Sequence, residues 1–172
     1  SLNINYICPL HGKIWRKDID KLVDKYKKWA SYEPEEKGVT IVYGSIYGNT
    51  ENAAEILAGI LAEKGIRNIQ MFDVSVTHPS YLVSSCFRYS NIVIASNTYN
   101  AGMFINMDAF MHDLAAHSLK NRYVSIIESG SWAPMSGKKI REILESMKDM
   151  KIIGDTVTIT SAPKNEDYEK LE

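Results

Sequence analysis

A stretch rich in hydroxyl and amide side chains lies between a short β-rich segment and a helical pattern. It reads Ser45-Ile46-Tyr47-Gly48-Asn49-Thr50. The backbone amides at the start of a helix, together with the helix dipole, attract an anion. Hydroxyl and amide side chains add neutral donors, and a glycine lets the backbone approach a ligand closely. The loop therefore predicts a site for a terminal monophosphate.

Two common phosphate-loop signatures are absent from this stretch. No lysine follows Gly48, unlike in the Gly-Lys-Ser/Thr ending of a nucleoside-triphosphate loop. The Gly-x-Gly-x-x-Gly of dinucleotide-binding folds is absent as well. An alternative stays open for the loop taken alone: an ordinary strand-to-helix turn in which Ser45 and Thr50 only cap the helix.

Two further loops place an aromatic residue among small, flexible ones. They read Asn97-Thr98-Tyr99-Asn100-Ala101-Gly102-Met103 and Ser129-Gly130-Ser131-Trp132-Ala133-Pro134. A flat heteroaromatic ring needs stacking faces, and backbone donors and acceptors for its polar rim. Tyr99 and Trp132 are the predicted stacking residues, and the close backbone is predicted at Asn100, Gly102, Gly130 and Ser131. Each aromatic alone could belong to the core, but three loops at one edge favour a ligand site.

Alternating strand and helix patterns occupy the chain from Gly38 onward. Strands are predicted over 39–43, 69–74, 91–96, 123–127 and 156–160, and helices over 50–64, 81–89, 105–119 and 137–150. Five strands interleaved with helices predict right-handed crossovers and a parallel sheet covered on both faces. Ligands of such sheets bind beyond the carboxyl ends of the strands, which is where the three loops lie.

The first part of the chain does not follow this alternation. Apolar residues recur there at helical spacing: Ile19, Leu22, Val23, Tyr26, Trp29 and Ala30. Residues 31–37 contain Pro34 and three glutamates and are predicted to form a linker.

Composition excludes several classes of function. The 172 residues are 45% hydrophobic and 24% charged, with a formal charge of −1, and no basic-aromatic stripe predicts nucleic-acid binding. No apolar run approaches the roughly 20 residues that span a bilayer, and no signal-peptide pattern is present. The only cysteines, Cys8 and Cys86, favour a reducing compartment. We expect a cytoplasmic protein without membrane or nucleic-acid partners.

The phosphate loop resembles that of the flavodoxin family, and the similarity spans about Val39 to Ile159. The two aromatic loops look like the flavin loops of the flavodiiron proteins (A-type flavoproteins), in which a β-lactamase-like diiron domain precedes a flavodoxin domain. The resemblance implies a three-layer, flavodoxin-like α/β fold whose five-stranded parallel sheet has the order 2-1-3-4-5 and helices on both faces. It implies bound FMN and no catalytic acid or base. The implied FMN-binding residues are Ser45, Ile46, Tyr47, Gly48, Asn49, Thr50, Thr98, Tyr99, Asn100, Ala101, Gly102, Ser129, Gly130, Ser131 and Trp132.

The segment from Cys8 to Arg16 resembles the end of that diiron domain, and its histidine, His11, matches a family iron ligand. The resemblance implies two parts: 1–37, the tail of an upstream domain with a helix and linker, and 38–172, a flavodoxin-like FMN-binding domain. The family's His-x-Glu-x-Asp-His iron motif is missing from this sequence. We therefore expect a fragment of a longer protein, with Ser1-Leu2 as a remnant of cloning, and no metal at His11 in this chain.

The resemblance also implies a role in electron transfer. Electrons would pass from a redox donor protein (rubredoxin-like or a flavin reductase) through FMN to a diiron centre absent from this chain. The parent would reduce oxygen or nitric oxide and would form a head-to-tail homodimer. Two alternatives stay open: an NAD(P)H-dependent quinone or FMN reductase on the same fold, and a cofactor-free scaffold that acts by protein contact.

Overall fold

The computed structural model describes residues 3–172, so the proposed remnant Ser1-Leu2 lies outside the described residues. The helices are α1 Ile19–Ser31, α2 Asn49–Glu63, α3 Pro79–Arg88, α4 Ile105–Ala116, α5 Ser136–Ser146 and α6 Asn165–Leu171. The strands are β1 Glu36–Gly44, β2 Ile69–Asp73, β3 Tyr89–Tyr99, β4 Gly102–Met103, β5 Arg122–Ser129, β6 Met150–Ile152 and β7 Val157–Ile159. No helix within residues 3–172 is long and apolar enough to cross a membrane.

The main sheet is parallel and has the order β2-β1-β3-β5-β6, with β7 pairing with β5 as well. In this order β5 is the fourth main strand, and β6 and β7 together fill the place of the fifth. The predicted flavodoxin-like α/β fold with the order 2-1-3-4-5 is therefore confirmed.

Two apolar clusters cover the two faces of the sheet. Val42 and Ile94 belong to the cluster beneath α3, α4 and α5, whereas Ile41 and Val93 belong to the cluster beneath α2. Because neighbouring residues of a strand point to opposite faces, a strand covered on both faces is apolar without interruption. This confirms the expectation of a parallel sheet that is covered on both faces.

The fifth strand of the sheet, predicted over 156–160, is observed as two short strands, β6 and β7, and the helix before it is shorter than predicted. The helix predicted over 137–150 ends at Ser146, and Met150 already belongs to a strand. Asp149, with φ 55°, turns the chain between the two. The apolar Met147 and Met150 extend the helical pattern in sequence, but they pack against the core from a turn and a strand. The chain then leaves the sheet at Gly154 (φ 69°) and returns as β7.

The segment before the sheet leads directly into strand β1. The predicted helix is confirmed as α1, but β1 begins at Glu36, which pairs with Tyr89, so the predicted linker contains the first two residues of the strand. Tyr32 ends α1 and packs its ring against Phe87, with ring centroids 5.9 Å apart. The division of the chain at residue 37 stays a prediction.

A buried arginine joins three elements at the amino ends of the strands. The Arg122 guanidinium donates hydrogen bonds to the backbone carbonyls of Tyr32 (2.7 Å), Cys86 (2.9 Å) and Phe87 (2.7 Å). Its side chain is almost fully buried, and burial lowers the pKa of Arg122. The ends of α1 and α3 are therefore fixed to the start of β5.

Candidate ligand-binding cleft

A cleft of about 260 Å³ opens at the carboxyl edge of the sheet. The loops that follow β1, β5 and β7 contribute to its walls, together with the last residues of β3 and β5. Its lining residues are Ser45, Ile46, Tyr47, Asn49, Thr50, Asn97, Thr98, Ser129, Gly130, Ser131 and Ser161. The cleft thus lies where parallel α/β sheets place their ligands.

The register of the sheet explains why these loops converge. Gly44 at the end of β1 lies beside Ser96 of β3, and the next residue, Asn97, lies beside Ser129 at the end of β5. β1 and β5 therefore end on either side of β3, which continues to Tyr99, and the three loops begin at the same edge of the sheet.

The phosphate loop leads into α2 through a left-handed glycine. Gly48 has φ 82° and a Cβ there would touch nothing within 4 Å, so the backbone angle, rather than space, favours glycine. Gly48 is also the N-cap of α2 and has no side chain that could cap the helix.

The hydroxyls of Ser45 and Thr50 do not cap α2. The Ser45 hydroxyl is buried without a hydrogen-bond partner in the described chain, and the Thr50 hydroxyl lies 2.7 Å from that of Ser129. The alternative in which these two residues only cap the helix therefore does not hold. The Thr50–Ser129 contact instead connects the start of α2 to the end of β5.

The loop after β3 is a tight hairpin. Tyr99 pairs with Gly102 of β4 in antiparallel fashion, and the two residues between them, Asn100 and Ala101, both have positive φ (47° and 56°). Such a two-residue turn matches the twist of the strands it joins. Tyr99, which precedes the turn, is 40% exposed.

The loop after β5 is fixed at its end and exposed in its middle. Thr98 Oγ1 accepts hydrogen bonds from the backbone nitrogens of Met135 (2.9 Å) and Ser136 (3.2 Å), and Ser136 Oγ donates to the Ser96 carbonyl (2.8 Å). Before these anchors, in the middle of the loop, Trp132 is 95% exposed. Neither Tyr99 nor Trp132 is buried, so the alternative in which both belong to the core does not hold.

The structure brings most of the predicted site residues into one cleft. The residues that line it are Ser45, Ile46, Tyr47, Asn49, Thr50, Thr98, Ser129, Gly130 and Ser131. The other predicted residues lie on the same three loops but outside the lining: Gly48, Tyr99, Asn100, Ala101, Gly102 and Trp132. Their assignment to a flavin stays a prediction.

Two lining residues are missing from the predicted set. Asn97 directly precedes Thr98, and Ser161 follows β7. The rule that ligands meet the carboxyl ends of strands applies to the fifth strand as well, and it would have indicated Ser161. For Asn97 the only sequence signal is its place as the first residue of the predicted ring loop.

The chemistry of the lining fits a ligand with a phosphate and hydroxyl groups. No acidic, basic or histidine side chain lines the cleft, so hydroxyls, amides and the α2 amides are its polar groups. Two buried side-chain oxygens within residues 3–172 have no hydrogen-bond partner, Ser45 Oγ and Asn97 Oδ1, and both residues line this cleft. Buried polar atoms are rarely left unpaired, so both favour a polar ligand.

The predicted iron ligand, His11, does not line the cleft. His11 is exposed, in a turn closed by the backbone pairing of Ile7 with Trp15. Within residues 3–172, no group of three or more histidine, cysteine, aspartate or glutamate side chains could hold a metal ion. The role of His11 in a longer parent stays a prediction.

Comparison with known proteins gives matches over almost the whole chain. The model of the flavodoxin family matches residues 41–172. An uncharacterized protein of Methanocaldococcus jannaschii is 29% identical over 171 residues, covering 99% of this chain and 43% of its own. The nitric oxide reductase of Moorella thermoacetica is 26% identical over 170 residues, covering 99% of this chain and 42% of its own.

A solved structure with the same fold is the rubredoxin oxygen:oxidoreductase of Desulfovibrio gigas. It superimposes with a TM-score of 0.86 at 26% identity, over 97% of this chain and 41% of that protein. The chain therefore spans less than half the length of these relatives.

Proposed function

Since this chain belongs to the flavodoxin family and matches the flavodoxin-like C-terminal part of flavodiiron proteins, we propose that it binds FMN and transfers electrons. The observation that carries the proposal is the uncharged cleft at the start of α2, in which Ser45 Oγ and Asn97 Oδ1 are buried and unpaired. Neutral donors and a helix N-terminus suit a monophosphate.

The phosphate and the sugar-alcohol chain of FMN occupy the cleft in this proposal. The amides at the start of α2 and the side chains of Ser45, Asn49 and Thr50 hold the phosphate. At about 260 Å³ the cleft is smaller than the roughly 300–1,000 Å³ of sites that enclose a whole ligand. The ring therefore lies beside the cleft, between the exposed Tyr99 and Trp132.

When bound, FMN supplies one- and two-electron redox chemistry, and the protein supplies position and surroundings. The hairpin at Asn100 and Ala101 and the loop around Trp132 offer backbone groups to the polar rim of the ring. Thr98 connects the two loops through its hydrogen bonds to Met135 and Ser136, so they keep a fixed separation. No residue of the cleft is needed as a catalytic acid or base.

The partners are proposed from the relatives. Their names describe a nitric oxide reductase and a rubredoxin oxygen:oxidoreductase, each more than twice the length of this chain. We propose that the chain takes electrons from a redox donor protein and passes them to a diiron centre in a longer, homodimeric parent. In that parent, residues 1–37 end the diiron domain and His11 binds iron.

Anaerobic reduction followed by mixing with oxygen tests this role. FMN-loaded protein is expected to accept electrons from dithionite, to reoxidise slowly and to yield hydrogen peroxide, because no group of side chains within residues 3–172 could hold a diiron centre. Fast reoxidation with water as the sole product would contradict the proposal that the diiron centre lies outside this chain. Rapid oxidation of added NADH without a donor protein would favour the reductase alternative, and a protein that takes up no flavin would favour the scaffold.

A further inference from the structure

We propose that Asn97 accepts a hydrogen bond from a hydroxyl of the flavin's sugar-alcohol chain, and so selects flavins that carry this chain. The inference rests on the proposed flavin function and adds a residue that the sequence pattern does not single out. It is carried by the position of Asn97 in the cleft and by its unpaired oxygen.

The hydrogen bonds of Asn97 define which side-chain atom is free. Its Nδ2 lies 3.3 Å from the backbone carbonyl of Thr98. A carbonyl oxygen can only accept, so the atom that faces it must be the amide nitrogen. The unpaired atom is therefore Oδ1, which is buried and has no donor within the described residues.

The neighbouring side chains do not satisfy this oxygen. Asn97 lies beside Ser129 in the register of β3 and β5, but the Ser129 hydroxyl is 2.7 Å from that of Thr50. A buried acceptor without a donor is unfavourable, and a ligand that brings a donor removes this cost. A ligand with a donor at this point therefore binds more favourably than one without.

A hydrogen-bond donor is present in only some parts of FMN, and this identifies the part that pairs with Asn97 Oδ1. A phosphate dianion has only acceptor atoms and cannot pair with Oδ1. The flavin ring has one N–H donor, but the predicted stacking residues Tyr99 and Trp132 lie outside the lining to which Asn97 belongs. The hydroxyls between phosphate and ring are donors, and they belong to the part of FMN that enters the cleft.

Affinities for three flavins separate these contacts. FMN has the sugar-alcohol chain and the phosphate, riboflavin lacks the phosphate, and lumiflavin lacks both. The variants are Asn97→Leu, which has a similar volume, and Asn97→Ala, which cannot clash. Asn106→Ala, at an exposed position in the first turn of α4, is the control. Circular dichroism of each ligand-free variant verifies the fold.

Both Asn97 variants should bind FMN and riboflavin more weakly by the same factor, roughly 2- to 12-fold, because each loses one hydrogen bond to a neutral group. Lumiflavin affinity should not change, and the control should bind all three flavins as the wild type does. A loss for FMN alone would assign Asn97 to the phosphate, and a loss for lumiflavin would assign it to the ring; either overturns the inference.

The failure of the inference can be distinguished from that of the proposed function. A wild-type chain that binds FMN, with both variants retaining its affinity, overturns only the role of Asn97. A wild-type chain that binds none of the three flavins overturns the proposed function and the inference together.

Discussion

The Thr50 hydroxyl connects the phosphate loop to the end of β5. It lies in the first turn of α2, is almost fully buried, and contacts the hydroxyl of Ser129 at 2.7 Å. Each hydroxyl has one proton to donate, so one member of the pair retains a proton for another acceptor. A phosphate at the start of α2 is the acceptor that the proposed function supplies.

Replacement of Thr50 by valine should weaken FMN binding about 10- to 150-fold, because one donor to a charged group is worth roughly 1.5–3 kcal/mol. The affinity for riboflavin, which has no phosphate, should fall much less. Thr50→Ser retains the hydroxyl and is the matched control. Titration of flavin fluorescence measures both affinities, and equal losses for the two ligands would restrict Thr50 to a structural role.

The two exposed aromatics should border the flavin ring. The fluorescence of bound flavin is expected to be strongly quenched and to recover in part in Tyr99→Ala and Trp132→Ala, because each variant removes one stacking face. Tyr81, an exposed tyrosine on α3, provides the control Tyr81→Ala. If quenching is as strong in both variants as in the wild type, the rings do not contact the flavin.

At the scale of elements, the hairpin after β3 contains a residue in an unfavourable conformation. Ala101 has φ 56°, a left-handed angle that costs a residue with a Cβ about 1–2 kcal/mol. Asn100, with φ 47°, tolerates this region better because asparagine, with its short polar side chain, adopts left-handed angles more readily than alanine. The turn holds Tyr99 at the edge of the cleft.

Ala101→Gly should raise the free energy of unfolding by about 0.5–1 kcal/mol, since glycine relieves the left-handed angle but loses more entropy on folding. The control is Ala109→Gly at an exposed, helical position of α4, which should lower that free energy by about 1 kcal/mol. Urea denaturation measures both. Destabilisation by Ala101→Gly would show that the turn is not strained there.

The sequence predicts elements well where the pattern is local. The unbroken apolar run from Ile92 to Ala95 indicates a strand buried on both faces, and the residues after β1, β3 and β5 indicate the cleft. The split of the fifth strand is not local, since it depends on β5 pairing with β6 through Val124 and with β7 through Ile127. The unpaired state of Asn97 Oδ1 likewise depends on neighbours distant in sequence.

At the scale of the whole molecule, Arg122 connects α1, which precedes the sheet, to α3 and to strand β5. Its guanidinium bonds the carbonyls at the ends of α1 and α3 from the first residue of β5. The cleft lies at the opposite ends of the strands. Stability and ligand binding should therefore respond separately to a change at this residue.

Arg122→Met should lower the free energy of unfolding by about 3 kcal/mol, because the buried carbonyl of Cys86 and the partly buried carbonyls of Tyr32 and Phe87 lose their donor at about 1–3 kcal/mol each. FMN affinity of the folded variant should stay near that of the wild type. The control is Arg88→Met: Arg88 is a partly exposed arginine paired with Glu36, and its loss should cost about 1 kcal/mol or less. If the two variants lose a similar amount of unfolding free energy, Arg122 does not have the stabilising role described.

The binding of FMN by the purified protein tests the central claim most directly. The protein, stripped of any ligand under mild denaturation and refolded, is titrated with FMN, FAD and riboflavin by calorimetry. We expect one FMN per chain, bound more tightly than riboflavin because of the phosphate and more tightly than FAD because the cleft suits a terminal monophosphate. No uptake of flavin, or a preference for FAD, would contradict the account.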